Sequence, residues 1–168
     1  LAPLFALFSA MLVAVGLFIA ERTRAKNLAA IATTGTALAI FGGVAMLGSV
    51  LLAWPSPQQL VIVGSLCFAT LTVQAMLGRL PALHIPAVAC AALVSLIGFH
   101  WWQGNLTEVG SFELSWQIAQ TWWMGRSAVV LTALALVTVA AAGGCWYRNQ
   151  RQQALYYIFS AAGLAVLS

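Results

Sequence analysis

Charge is what this sequence has least of. Aspartate is absent, the only acidic residues are three glutamates, and charged residues make up 6% of the 168 positions. Soluble domains carry about 25% charged residues. Hydrophobic residues make up 62% of the chain, and a soluble fold of this size could not hide so much apolar surface. The composition predicts a protein embedded in a membrane.

The groups from which active sites are built are also scarce. No Asp, Glu, Lys, Arg or His lies in the middle of an apolar run, although proton- and ion-coupled transporters generally need such a residue there. Paired carboxylates, a nucleophile–base pair, a glycine-rich phosphate loop and a metal-ligand cluster are not recognisable. Cys67, Cys90 and Cys145 lie in apolar runs without metal-binding spacing, so we interpret them as small buried hydrophobes. These absences argue against a self-contained enzyme and leave any cofactor unknown.

The apolar runs predict six transmembrane spans in one domain, residues 1–168. Lipid offers no hydrogen-bond partner to a backbone amide, so each span must be helical, and the predicted fold is an all-α polytopic transmembrane bundle. The predicted spans are Pro3–Ala20, Leu28–Trp54, Leu60–Leu77, Ala87–Trp102, Ala128–Tyr147 and Ala154–Ser168.

The positions of the basic residues predict the orientation. Six of the seven Lys and Arg residues fall in the first, third and fifth loops between these spans. The positive-inside rule places those loops in the cytoplasm and the amino terminus outside, as expected for a bacterial cytoplasmic (inner) membrane. We interpret the net charge of +4 as this orientation signal and expect no nucleic-acid partner. Because the chain starts at Leu1 and its last apolar run is short, we expect a segment of a longer protein.

The outer loop Gln103–Ser127 contains an amphipathic pattern. On a helix, Phe112, Trp116, Ala119 and Trp123 share one side, and Glu113 falls opposite, as in a helix that lies in the membrane interface. That side is extended into a broad apolar arc by Leu114, Ile118 and Trp122. Such a helix could be an anchor, could border an aromatic groove for a lipid, glycan or pigment, or could dock a protein. The predicted interfacial anchors are tryptophans, namely Trp54, Trp101, Trp102, Trp116, Trp122 and Trp123.

Two polar residues within or beside the spans, His100 and Gln74, are candidates for function. His100, next to Trp101, is the candidate cofactor ligand, for a haem iron or a chlorophyll magnesium. His84 lies about 24 Å away along a helix, too far to share a haem. Gln74 is the most polar residue inside a span, where a polar pathway is one interpretation, and Ser127 is a predicted N-cap of the fifth span.

Small residues recur at four-residue spacing in two spans. They are Gly35, Ala39 and Gly43 in the second span, and Ala140 and Gly144 in the fifth. Small residues let membrane helices approach closely, so we expect packing within the protein or against a neighbouring subunit.

The segment Gly125–Leu131, which follows the outer loop, resembles the segment after the periplasmic loop of O-antigen ligase-type proteins. The resemblance covers a small part of the chain. Further basic and histidine motifs expected of such a ligase have no match here, so no residue role is carried over.

These observations favour a non-catalytic accessory or scaffold subunit that packs against other membrane proteins in a larger complex. One alternative is the membrane part of a transporter or of a lipid- or glycan-handling protein. Another is a pigment- or haem-binding subunit of an energy-converting complex. The predicted partners are the lipid bilayer and other membrane protein subunits.

Overall fold

The structure is a computed structural model that describes residues 1–24, 29–78, 80–106, 111–122 and 125–168. Over these residues the chain is all-helical, with one short 3₁₀ turn at Pro81–Leu83. The seven helices are α1 (Ala2–Arg24), α2 (Ala29–Leu52), α3 (Pro57–Leu77), α4 (His84–Trp102), α5 (Ser111–Trp122), α6 (Gly125–Tyr147) and α7 (Arg151–Leu167). The predicted all-α class is confirmed.

Five helical segments of the described chain are long and apolar enough to cross a membrane. They are Ala2–Thr23, Thr33–Leu52, Pro57–Leu77, Pro81–Trp102 and Gly125–Tyr147. These lengths and compositions indicate an integral membrane protein and are consistent with a helical membrane bundle. The sixth span, which would be the 17-residue helix α7, and the orientation stay predictions. Lys26 and Arg79, two of the basic residues used for that orientation, lie outside the described residues.

Helices α1 and α2 cross at two glycines. A Cβ atom built on Gly16 would lie 2.6 Å from the backbone nitrogen of Ala39, and one built on Gly35 would lie 2.7 Å from that of Ala20. Real Cβ atoms do not approach backbone atoms so closely, so only glycine fits at either position. The small residues of α2 therefore allow the backbones of α1 and α2 to contact each other.

The turn between α2 and α3 follows from its prolines. Ser56 caps α3, since its hydroxyl accepts a hydrogen bond from the backbone N–H of Gln59 at 3.4 Å. Pro57 occupies the first position of the helix, where a missing N–H costs nothing. This turn separates α2, which ends at Leu52, from α3.

Helix α4 takes part in two separate groups of buried side chains. One group joins α4 to α1, α2 and α3 and includes Met46, Leu71 and Ile97. The other joins α4 to α6 and α7 and includes Val88 and Leu131. A cavity along α4 is lined by members of both groups.

Candidate functional site

A cavity of about 1010 Å³ lies between α4, α5, α6, α7 and the end of α2. Its volume is at the upper end of the range of ligand pockets, roughly 300–1,000 Å³. Most of its wall is apolar or aromatic, formed by Val50, Leu51, Trp54, Leu60, Ile85, Val88, Ala89, Ala92, Leu93, Leu96, Ile97, Leu106, Ile118, Leu131, Phe159, Gly163, Leu164 and Leu167.

The cavity is elongated. Its wall follows α4 from Ile85 to His100, which is about 22 Å along the axis at 1.5 Å per residue. The hydrocarbon core of a bilayer is roughly 30 Å thick. A cavity of this length accommodates an extended hydrocarbon chain.

The polar groups of the wall are unevenly placed. His100, Ser115, Thr121 and Ser127 come from the end of α4, from α5 and from the start of α6, while Ser160 is the polar residue that α7 contributes. No charged side chain is among the described residues of the wall. The cavity thus combines an apolar length with one polar, uncharged end, which we call the polar end (His100, Ser115, Thr121 and Ser127).

A chain of hydrogen bonds organises the polar end. The Ser127 hydroxyl donates to the carbonyl oxygen of Thr121 at 2.5 Å, and the Nε2 atom of His100 lies 2.8 Å from Ser127 Oγ. A hydroxyl has one proton, so Ser127 Oγ must accept from Nε2–H. The neutral imidazole therefore has its proton on Nε2, which leaves Nδ1 as an acceptor.

The other ring nitrogen fits that assignment. Asn105 Nδ2 lies 3.3 Å from His100 Nδ1 and also donates to Gln103 Oε1 at 3.3 Å. Arg126 Nη1 donates to the same Gln103 oxygen at 3.3 Å. The amide protons of Asn105 thus have two acceptors, and the network continues from the buried histidine to the exposed Arg126.

This direction of donation opposes a catalytic role for Ser127 as a nucleophile. A serine activated by histidine must donate its proton to the imidazole, whereas Ser127 donates to a backbone carbonyl and receives the proton of the ring. The N-cap prediction for Ser127 is wrong, because α6 begins at Gly125 and places Ser127 inside its first turn.

The predicted cofactor ligand His100 is 1% exposed, and both of its ring nitrogens have hydrogen-bond partners. Coordination of a metal would require one of these bonds to break. His84 is fully buried at the other end of α4, with its ring tilted against that of Tyr157 at a centroid distance of 4.5 Å, and neither of its nitrogens has a hydrogen-bond partner among the described residues. Over the described ranges, no group of three His, Cys, Asp or Glu could hold a metal ion.

Helix α5 borders the polar end with one face and turns its aromatic face away. Leu114 is fully buried, and Ile118 and Thr121 border the cavity. Phe112 is 87% exposed, and Trp116 is also exposed. The apolar arc predicted from the sequence is thus divided between the protein and its surroundings.

The predicted anchor tryptophans occupy different settings. Trp101 and Trp102 are exposed, while Trp54 combines an exposed side with a place in the cavity wall. The ring of Trp122 and the whole of Trp123 lie outside the described residues.

The two small-residue stripes differ in their surroundings. Gly35 and Ala39 contact α1, and a Cβ on Gly43 would lie 2.8 Å from the amide oxygen of Gln74. Gln74 itself donates from Nε2 to the carbonyl of Ala39 at 2.8 Å, so this polar side chain joins α3 to α2. Ala140 and Gly144 lie on the exposed side of α6.

Comparison with known proteins adds no identification. The chain matches no family model, no curated protein and no solved structure. Its function therefore has to be inferred from the geometry of the cavity.

Sequence patterns indicate only part of this site. The place of His100 beside the tryptophans marks it as a candidate, but no pattern marks Thr121, Asn105 or the role of Ser127. Their common signal is a hydroxyl or amide near the end of a helix, and many such groups simply cap or solvate a helix end.

Proposed function

We propose that this chain is the membrane part of a lipid-handling protein, which holds the hydrocarbon chain of a lipid in the cavity and its head at the polar end. The observation that supports this proposal is the combination of an apolar wall along α4 and α7 with hydrogen-bonding groups at one end. An amphiphile has the same distribution of polarity. Apolar pockets with a few convergent polar groups are the usual form of a ligand site.

The structure offers a matched pair of glycines for testing this proposal. Gly163 borders the cavity on α7, and Gly143 lies on the exposed side of α6. A Cβ at either position meets nothing within 4 Å, so neither position is closed to a side chain. Only the side chain at position 163 would take up cavity space.

The test is photo-crosslinking in lipid nanodiscs with long-chain lipids that have a diazirine near the chain end, one with a phosphate head and one with a hydroxyl head. We expect Gly163→Phe to reduce labelling of α4 and α7 peptides by about tenfold or more, equivalent to about 1.4 kcal/mol. Gly143→Phe should label like the unmodified protein. Equal labelling of both variants would mean that the lipids bind only at the outer surface, and the proposal would fail.

The accessory-subunit role is the second candidate, and the exposed side of α6 favours it. A Cβ atom added at Gly143 or Gly144 would meet nothing within 4 Å, so a partner helix could approach closely there. The measurement is native mass spectrometry of the gently solubilised particle. Stoichiometric partner subunits would support this role, and a lone chain would contradict it.

A further inference from the structure

We infer that the head of the bound lipid is an uncharged hydrogen-bond donor, that is, an alcohol at the end of a long hydrocarbon chain. The inference rests on the proposed function and names the ligand class of the same cavity. It follows from the direction of the hydrogen bonds at the polar end.

At the polar end, the hydroxyl protons of Thr121 and Ser127 are already donated to backbone carbonyls. Thr121 donates to the carbonyl of Ile118 at 2.8 Å, and Ser127 donates to the carbonyl of Thr121 at 2.5 Å. His100 donates its Nε2–H to the Ser127 hydroxyl oxygen. What Thr121 and Ser127 still offer is the lone pairs of their oxygens. A ligand that satisfies lone pairs must bring a proton.

Ligand heads without a proton fit poorly against Thr121 and Ser127. A ketone, an ether or an ester would place oxygen lone pairs against those of Thr121 and Ser127. To receive a bond it would have to displace an existing donor from its carbonyl, and an unmade hydrogen bond to a buried group costs about 1–3 kcal/mol.

A phosphate head fits worse. No charged side chain is among the described residues of the wall, and burial of an unpaired charge is far more costly than burial of a hydroxyl. Arg126, the nearby cation, is exposed, donates to the Gln103 amide and does not border the cavity. A phosphate would therefore have to leave the cavity to reach it.

The remaining length of the wall defines the other part of the ligand. From Ile97 to Ile85 the face of α4 in the cavity is apolar, so a long unbranched or prenyl chain is accommodated along this helix. Long-chain alcohols, prenols and sterols share this chemistry of one hydroxyl and an extended hydrocarbon body.

The experiment compares three ligands with one chain and different heads: hexadecanol, hexadecyl methyl ether and hexadecyl phosphate. Each competes with the hydroxyl-headed diazirine lipid for labelling of the cavity peptides in nanodiscs. We expect hexadecanol to compete about fivefold better than the ether, the effect of one neutral hydrogen bond, and about tenfold or more better than the phosphate. A phosphate or an ether that competes as well as hexadecanol overturns the inference.

A pair of variants tests whether the Thr121 hydroxyl oxygen accepts the hydrogen bond of the ligand. Thr121→Val removes the cavity hydroxyl with almost no change of shape, and Thr72→Val removes an equivalent hydroxyl that donates to Phe68 on α3, outside the cavity. We expect Thr121→Val to weaken hexadecanol about fivefold and to leave the ether unchanged, with no effect from Thr72→Val. Equal weakening of both ligands would contradict the inference. If Thr121→Val does not fold, the three-ligand comparison on the unmodified protein decides.

The outcomes separate the inference from the proposed function. Cavity labelling that the phosphate displaces best would reject the alcohol and retain a lipid-handling protein. Absence of cavity labelling by either diazirine lipid would reject both.

Discussion

At the scale of single residues, the most constrained positions are those where a backbone meets a backbone. Gly35 is one of them, because a Cβ there would lie 2.7 Å from the Ala20 nitrogen and 2.8 Å from the Gly16 oxygen. Neither atom belongs to a flexible side chain, so α1 and α2 would have to separate. Gly48 lies on the same helix α2, and a Cβ there meets nothing within 4 Å.

We expect Gly35→Ala to lower the free energy of unfolding by about 1–3 kcal/mol, since an added group in a well-packed contact forces backbone shifts. Gly48→Ala should be neutral or stabilising by up to about 1 kcal/mol, because alanine is the better helix former. The measurement is reversible unfolding in mixed micelles. Equal effects at both positions would show that α1 and α2 are not in direct backbone contact.

At the scale of elements, α5 is the helix with two different apolar faces. Its protein-facing side places Leu114 in the core, with Ile118 and Thr121 at the cavity, while Phe112 and Trp116 face outward. The sequence pattern shows one broad apolar arc, and only the packing separates the side that docks from the side that is exposed.

We expect Leu114→Ala to release α5 from the bundle, because truncation of a fully buried leucine costs about 2–5 kcal/mol. Phe112→Ala removes a side chain that is 87% exposed and should leave α5 docked. Hydrogen–deuterium exchange of the α5 amides in nanodiscs distinguishes these results. Faster exchange in Phe112→Ala than in Leu114→Ala would reverse the assignment of the two faces.

At the scale of the whole molecule, the predicted orientation places the two ends of the cavity toward opposite sides of the membrane. If the amino terminus lies outside, then the loop after α4 lies outside and the loop after α6 lies inside. The polar end would then open toward the outer leaflet, and Asn105 and Asn149 would lie on opposite sides of the membrane.

Cysteine labelling tests this orientation after Cys145 is replaced by alanine, since Cys67 and Cys90 are buried. A membrane-impermeant maleimide should label Asn105→Cys in intact cells and should label Asn149→Cys only after the cells are opened. Both asparagines are exposed, so each cysteine is accessible on its own side. Labelling of Asn149→Cys in intact cells would invert the topology.

Some features of the fold and the site could be predicted from the sequence and others could not, for physical reasons. The turn at Pro57 was predictable because proline restricts its own backbone and that of the residue before it. The position of Gln74 in a span was evident, but its bond to the Ala39 carbonyl joins residues 35 positions apart. Contacts at such separation depend on how helices cross, and apolar composition does not specify the crossing.

The sequence by itself determined that the chain is helical and suited to a membrane. Its composition is too apolar for a surface that faces water, and a backbone amide inside a membrane must be hydrogen-bonded within a helix. Only the tertiary structure decided that His100, Thr121 and Ser127 meet at one end of an apolar cavity and in which direction their protons are donated. Lipid-facing and cavity-facing helix surfaces are equally apolar in sequence, so only the arrangement of α4, α5, α6 and α7 distinguishes the wall of a site from the outside of a bundle.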